Sequence, residues 1–353
     1  MVGNEEHVIL RMLESCYHYI DYWVIQCNGN DKTQEIIEKF FEEKQIPGFA
    51  YNVEWKFPGW NRDHALQTCL KANHKCDWIL RMDADEQLSI DETFDWEILN
   101  DLNVQSWNVT AYSPGSYYFR TWLWNANLPW KFRHDKRHEC ILLPGCGETE
   151  EEFQRENLPS SFKHIITNDG ETWVDPNKFL VDALELEKNQ ISQGTLLSDT
   201  YHFFYVGKSY NDCYGNDKFP LGYDHQVEYA RRCIFYLEQY VKYVPQGEMV
   251  YYSSYLIGNA YRFCKEYEKA IFAYQESEKY CSIRNEHICG LAETYMELGD
   301  YETMFLYTSQ LIQKDRKNPF PNLCFLIHNN AYYDTGDYVQ YLHSIAAGQL
   351  SNV

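Results

Sequence analysis

Two stretches of the chain lie 34 residues apart and carry the same small and aromatic residues at matching places. Gly258 and Tyr261 recur as Ala292 and Tyr295, and the turn around Lys265-Glu266-Tyr267 recurs as Gly299-Asp300-Tyr301. Ala270 and Tyr274 complete the first of these units. A less regular copy runs through Asn329, Tyr332 and Gly336-Asp337-Tyr338. An earlier one begins at Gly207 and Tyr210 and is followed by an insertion near 216–226. A unit of this length, with small residues where two helices touch, cannot bury its apolar face alone, so its copies must stack. The pattern predicts an all-α solenoid over 197–353. Residues 176–196 read as a helix that joins it to the preceding half.

The first half follows another rule. YWVIQC (22–27) is a strand-like run that ends at Asn28-Gly29-Asn30-Asp31, a turn leading into the helix-like TQEIIEKFFEEK. Asn30 or Asp31 can accept from the free amides at that helix start. FAYNVEW (49–55) reads as the next strand, RDHALQTCLKANHK (62–75) as a helix and DWILRM as a buried central strand. Strands and helices alternating in this way predict an α/β domain over 1–175, Rossmann-like, with a mostly parallel sheet. Ligands bind such sheets beyond the carboxyl ends of their strands.

Lys and Arg number 31 against 52 Asp and Glu, a net charge of −21, which disfavours nucleic acid and anionic membranes as partners. No apolar run approaches the roughly 18 residues of a membrane span. MVGNEEHVIL lacks the basic and apolar segments of a signal peptide. The 12 cysteines include no Cys-x-x-Cys pair, which points to reduced, mostly buried thiols and a cytoplasmic location.

The strand-like DWILRM runs straight into Asp83-Ala84-Asp85-Glu86. Two carboxylates one residue apart at a strand end repel each other unless a cation lies between them. Hard oxygen ligands of this kind suit manganese or magnesium, which keep open positions for substrate phosphates.

With these acids in view, the first half resembles the family-two glycosyltransferases of the GT-A fold. The stretches that carry the resemblance are VGNEEHVILRMLESC, NGNDKTQEI, NRDHALQ, DWILRMDADE and FRHDKRHEC. The 34-residue repeat is similar to tetratricopeptide repeats, and the coupling of the two also resembles peptide S-glycosyltransferases. The resemblance implies a metal-dependent transfer of a hexose or N-acetylhexosamine from a nucleotide diphosphate sugar, UDP-linked, to a glycan, protein or peptide acceptor with inversion. By the same resemblance Asp83 and Asp85 hold the metal on the donor diphosphate, and Asp83 also lies near the ribose. His164 is a candidate third ligand; a histidine satisfied within the core is its competing reading. Asn4, Glu5, Gln26, Asp31 and Arg62 fall at donor-binding positions. Glu139 takes the part of the general base, with His138 beside it.

Two departures stand out. Gln26 occupies a place where relatives carry an aspartate that pairs with uracil, and only Met1-Val2-Gly3 precede Asn4, within what the resemblance makes the first strand. The nucleotide pocket is therefore expected to be short on that side. Trp122, Trp124 and Trp130 lie ahead of Lys131, Arg133, Lys136 and Arg137 and offer either a sugar or phosphate platform or ordinary strand core. A homodimer through the repeats is a further expected partner. Two other readings compete: a non-catalytic sugar-nucleotide-binding scaffold, and a glycosyltransferase acting on nucleic acid.

Overall fold

Ile9, Met12, Leu13 and Cys16 recur at helical spacing, and helix α1 (Ile9–Cys16) turns all four inward. They meet Ile37, Phe40 and Phe41 of α2 (Thr33–Lys44) and Trp23 and Cys27 of β1 (Trp23–Cys27) in one apolar core. Each large aliphatic side chain so buried stabilises the fold by about 1.5–3 kcal/mol. The computed structural model describes residues 1–72, 74–113, 116–132, 141–145, 153–170, 177–193, 200–215, 222–281, 284–315, 323–326, 331–334 and 336–351. The chain divides into two units, Met1–Asp175 and Pro176–Val353.

In the first unit β1 pairs in parallel with β2 (Gly48–Asn52), from Trp23 opposite Gly48 to Cys27 opposite Asn52. Helix α3 (Pro58–Lys71) starts four residues before the 62 that the sequence pattern predicts. Pro58 explains the early start, because proline's fixed φ suits the first helical turn, where its missing amide hydrogen is not needed. A second sheet holds β3 (Trp78–Leu80), β4 (Glu86–Ile90), β5 (Ser106–Ser113), β6 (Ser116–Asn125), β9 (Arg155–Asn157) and β10 (Phe162–Ile166). Within it the order is β6-β5-β10-β4, with β3 on β6 and β9 on β5. Strands β7 (Lys131–Phe132) and β8 (Ile141–Leu142) form a separate antiparallel pair.

The mostly parallel pairing predicted from the sequence is found in β1–β2, β5–β9 and β5–β10, whereas β5–β6, β3–β6 and β4–β10 are antiparallel. For β5–β6 the reason is connection length. Between β5 and β6 there is room only for a hairpin, and a parallel neighbour needs a crossover of a dozen residues or more. Trp124 and Trp130 are buried with Phe132, Ile141 and Phe153. They are core, so the platform reading does not hold for them.

The second unit is helical. Helix α4 (Lys178–Gln193) buries Ala183 and Leu186 against α5 (Thr200–Asn211) and α6 (Tyr223–Tyr243), so the predicted joining helix is packed into the array that follows it. Then come α7 (Glu248–Phe263), α8 (Tyr267–Glu278), α9 (Glu286–Leu298) and α10 (Tyr301–Asp315). After a hairpin of β11 (Leu323–Leu326) and β12 (Ala331–Asp334), α11 (Gly336–Leu350) closes the described chain. Tyr332 therefore lies on a strand, and the last, irregular repeat keeps only its second helix; Asn329 lies outside the described residues.

The small residues of the repeat are contact points. A Cβ on Gly207 would come within 2.6 Å of Leu237, and one on Gly258 or Gly290 within 2.5 Å of the Tyr274 ring. Tyr274 cannot withdraw, because it is fully buried and its hydroxyl donates to Asn259 Oδ1 at 2.7 Å. Replacing Gly258 with valine is expected to lower the stability of the helical unit by about 1–3 kcal/mol, read as an earlier urea midpoint of the helical signal.

Candidate functional site

Strand β3 ends at Leu80, and the next residues turn back into β4 through a Glu86 amide that donates to the Asp83 carbonyl at 3.2 Å. Ala84 is buried between the two aspartates. Arg81 is fixed from two directions: its amide donates to the Trp122 carbonyl at 2.9 Å, and its guanidinium lies over the Trp122 ring, 4.5 Å from the centroid. Arg120, two residues before Trp122 on β6, lies 4.2 Å from the same centroid. Its guanidinium ion-pairs with Glu86 and donates to the Tyr118 hydroxyl. Aromatic support of this kind holds the planar guanidinium while leaving its N–H groups to act.

The two acids occupy unlike surroundings. Burial favours protonation of Asp83, but Arg81, then Arg62 and Arg120, outweigh it and hold the carboxyl down to about 2. Arg81 Nη2 is 3.4 Å from Asp83 Oδ1. For Asp85 burial dominates, the charge of Asp83 adds to it, and its proton affinity rises despite the Gly170 amide. Burial also drives Arg62 down to about 9, with Arg81 adding to the shift and Asp83 opposing it. Three cations thus act on Asp83, whereas the cation that acts on Asp85 is Arg11. Two carboxylates beside three guanidinium groups form a donor set whose chemistry suits a divalent cation with phosphate oxygens.

His164 is placed elsewhere. It is buried on β10 with Nδ1 3.4 Å from Glu86 Oε2 and its ring 5.5 Å from that of Trp122, and neither ring nitrogen has a hydrogen-bond partner. Among the described residues no group of three or more His, Cys, Asp or Glu side chains is arranged to hold a metal ion. His164 therefore joins Glu86 and not the acid pair. The cause is register: β10 runs antiparallel to β4 with His164 opposite Leu88.

The N-terminal loop and the turn after β1 hold each other. Asn4 takes a left-handed backbone, φ 57°, and its Oδ1 accepts from the Asn30 amide at 3.1 Å. Gly29 allows this approach, since a Cβ there would lie 2.4 Å from the Asn4 nitrogen. The Glu5 amide donates to Thr33 Oγ1 at 2.8 Å, and the Asp31 carboxylate accepts from the amides of Glu6 and Thr33 and from the Thr33 hydroxyl. Burial alone would raise the Asp31 carboxyl; the Thr33 hydrogen bonds and the Glu6 amide hold it below its ordinary range. In this structure Asp31 fastens the loop to the start of α2.

Gln26 is fully buried and used at both ends: Nε2 donates to Asn28 Oδ1 at 2.9 Å, while Oε1 meets the Tyr51 hydroxyl at 3.1 Å and His64 Nδ1 at 2.9 Å. It braces the pocket wall from within. Its replacement by leucine leaves these partners unpaired and is expected to cost roughly 1–3 kcal/mol in a denaturant titration. His138 and Glu139, with Arg133, Lys136 and Arg137, lie outside the described residues. A cavity of about 480 Å³ is lined by Arg62, Arg81 and Asp83 together with residues of β1 and β3, between which no ladder runs among the described residues. Beside β1 the N-terminal segment adds one parallel bridge, Val2 to Cys27.

Residues 2–94 match the family described as glycosyl transferase family 2. The stretch spans Asn4, Glu5, Gln26, Asp31, Arg62, Asp83 and Asp85. The acid pair lies inside the stretch that matches this family. No curated protein matches the chain. Among solved structures, the thermophilic TPR protein TTC0263 of Thermus thermophilus is 12% identical with a TM-score of 0.33, over 50% of this chain and 79% of that one. A structure of MamA is 12% identical with a TM-score of 0.31, over 50% and 91% of the two chains. The TPR2AB domain of yeast Sti1, solved with pHSP90, is 10% identical with a TM-score of 0.26, over 48% and 80%.

In the first unit, Arg81 and Arg120 are site residues not among those expected from the sequence. Their signal is a cation inside an apolar or aromatic run, WILRM and YYFRTWLW.

The unlike surroundings of the acids give opposite expectations for the metal-free protein at pH 7. A carboxyl held low contributes stability while ionised, present above about pH 4 and lost as the pH falls through the folded-state value. Asp83 is 42% exposed and screened by solvent, so Asp83→Asn should lower the thermal midpoint by only about 1 °C, and Asp85→Asn, which removes an unfavourable charge, should raise it in the same scan.

Proposed function

We propose that the N-terminal unit is a metal-dependent glycosyltransferase that moves a hexose or N-acetylhexosamine from a nucleotide diphosphate sugar, with uridine as the expected nucleoside, to a hydroxyl of a glycan or protein acceptor with inversion. The observation that carries this reading is the acid pair at the end of β3 with Arg62, Arg81 and Arg120 gathered on Asp83, all but Arg120 lying inside the family match.

In the proposed reaction Arg62, Arg81 and Arg120 bind the oxygens of the donor diphosphate, as guanidinium groups do in planar, two-point fashion. Trp122 keeps two of those groups in place. A manganese or magnesium ion on Asp83 and Asp85 would supply positive charge to the diphosphate as the anomeric C–O bond breaks. Glu139, with His138 beside it, takes the acceptor proton. Asn4, Glu5 and Asp31 shape the loop at the nucleotide end, and Gln26 acts there through the wall it braces. No described helix is long and apolar enough to cross a membrane, and the proposed setting is the cytoplasm. The helical unit is proposed to bind the acceptor or a second copy of the chain.

A second reading, a sugar-nucleotide-binding scaffold without catalysis, draws on the full internal use of Gln26 and Asp31. Nucleotide release from a panel of nucleotide sugars with manganese tests both. Wild-type protein should release nucleotide from at least one donor, and Asp83→Asn with Asp85→Asn should slow release by about 10²-fold or more. Equal rates would sink the metal role; binding without any release would favour the scaffold.

A further inference from the structure

The geometry points to Arg11 and Asp169 as a latch that positions Asp85. This inference rests on the reading of Asp85 as a metal ligand.

Asp85 is gripped at two points by one short loop, residues 167–170, that follows β10. The Thr167 hydroxyl lies 2.5 Å from the Asp85 carbonyl oxygen, and the Thr167 amide donates to the same oxygen at 3.4 Å. At the other end of the loop the Gly170 amide donates to Asp85 Oδ2 at 3.4 Å. Asn168 between them takes a left-handed backbone, φ 54°, which lets Thr167 and Gly170 both face the aspartate. A side chain at 170 would meet Asp85: a Cβ there would lie 3.2 Å from both Cβ and Cγ of the acid. The loop therefore fixes the backbone of Asp85 and the direction of its carboxylate.

The loop in turn is held from α1. Arg11 Nη1 donates to Asp169 Oδ2 at 2.9 Å and Nη2 to Oδ1 at 2.6 Å, a two-point pairing that fixes angle as well as distance. The same Nη2 donates to Thr167 Oγ1 at 2.8 Å, so one guanidinium binds both ends of the Thr167–Asp169 turn. His7 Nε2 adds a contact to the Asp169 carbonyl at 3.0 Å. The path from Arg11 to Asp85 is continuous: guanidinium, Thr167 hydroxyl, Asp85 carbonyl.

Magnitude separates positioning from plain structural support. The pair is partly exposed, 34% and 45% for the two side chains, and ion pairs of that kind add little to global stability. Partners that orient a metal-ligating carboxylate, by contrast, change metal affinity by about 10- to 100-fold when removed. Arg11 is thus a positioning residue whose loss should be felt at the acid pair and hardly at all in unfolding.

Manganese(II) chloride titrated into the full chain, followed by the electron paramagnetic resonance signal of the free ion, reads the first effect, and a urea titration of the same samples reads the second. Arg11→Met should weaken manganese binding about 10-fold with the urea midpoint unmoved, and Arg11→Asp combined with Asp169→Arg should restore it. Arg11→Met binding manganese as tightly as wild type overturns the latch. So does weaker binding matched by an earlier urea midpoint and no recovery in the exchanged pair, which is the signature of general damage. If the wild-type chain binds no manganese, the reading of the acid pair fails and this inference with it; because that outcome shows in the wild type alone, the two failures are distinguishable.

Discussion

The electrostatic balance around Asp83 is the interaction on which the first unit depends. Three guanidinium groups from α3, the end of β3 and β6 act on the charge of one half-exposed carboxylate. Arg120 also answers Glu86, and Trp122 lies under two of the three cations. The helix and the strands that bring these groups together are therefore tied to a single centre of charge, and that centre lies where the strands of an α/β sheet present their ligands. A site so arranged is short of anions, which is the condition a diphosphate relieves.

Around that centre the chain uses its other polar residues for alignment. Asn4, Glu5 and Asp31 lock the first loop to the start of α2, and Gln26 braces the wall between β1 and α3. These side chains hold a shape more than they present a surface. The same logic runs through the loop after β10, where a threonine and a glycine hold the second aspartate.

Much of this was legible in the residues. The β1 and β2 runs, α2 and the acids at the end of β3 stood out because apolar periodicity and turn residues agree there. The 34-residue repeat marked Gly207 and Gly258 as points of helix contact, since close helix packing demands small residues at fixed places, whereas Gly290 falls outside the marked positions. Other features could not be read. Pro58 carried the start of α3 back by four positions, and hairpin connections turned part of the sheet antiparallel. Thr167 and Asp169 were invisible as site residues because their partners come from distant parts of the chain, as with Asp169 and Arg11, 158 positions apart. His164 illustrates the converse: the sequence marks it as a candidate ligand, but strand register decides which carboxylate it meets.

Tyr274 occupies the space left by Gly258 on the helix before it and Gly290 on the helix after it. One aromatic ring therefore belongs to two successive repeats at once, and the joint between them is not a plane along which they can part. Strain applied to one helix pair passes to the next through that ring, so this stretch of the array should bend, breathe and unravel as a block, like links soldered together in an otherwise supple chain.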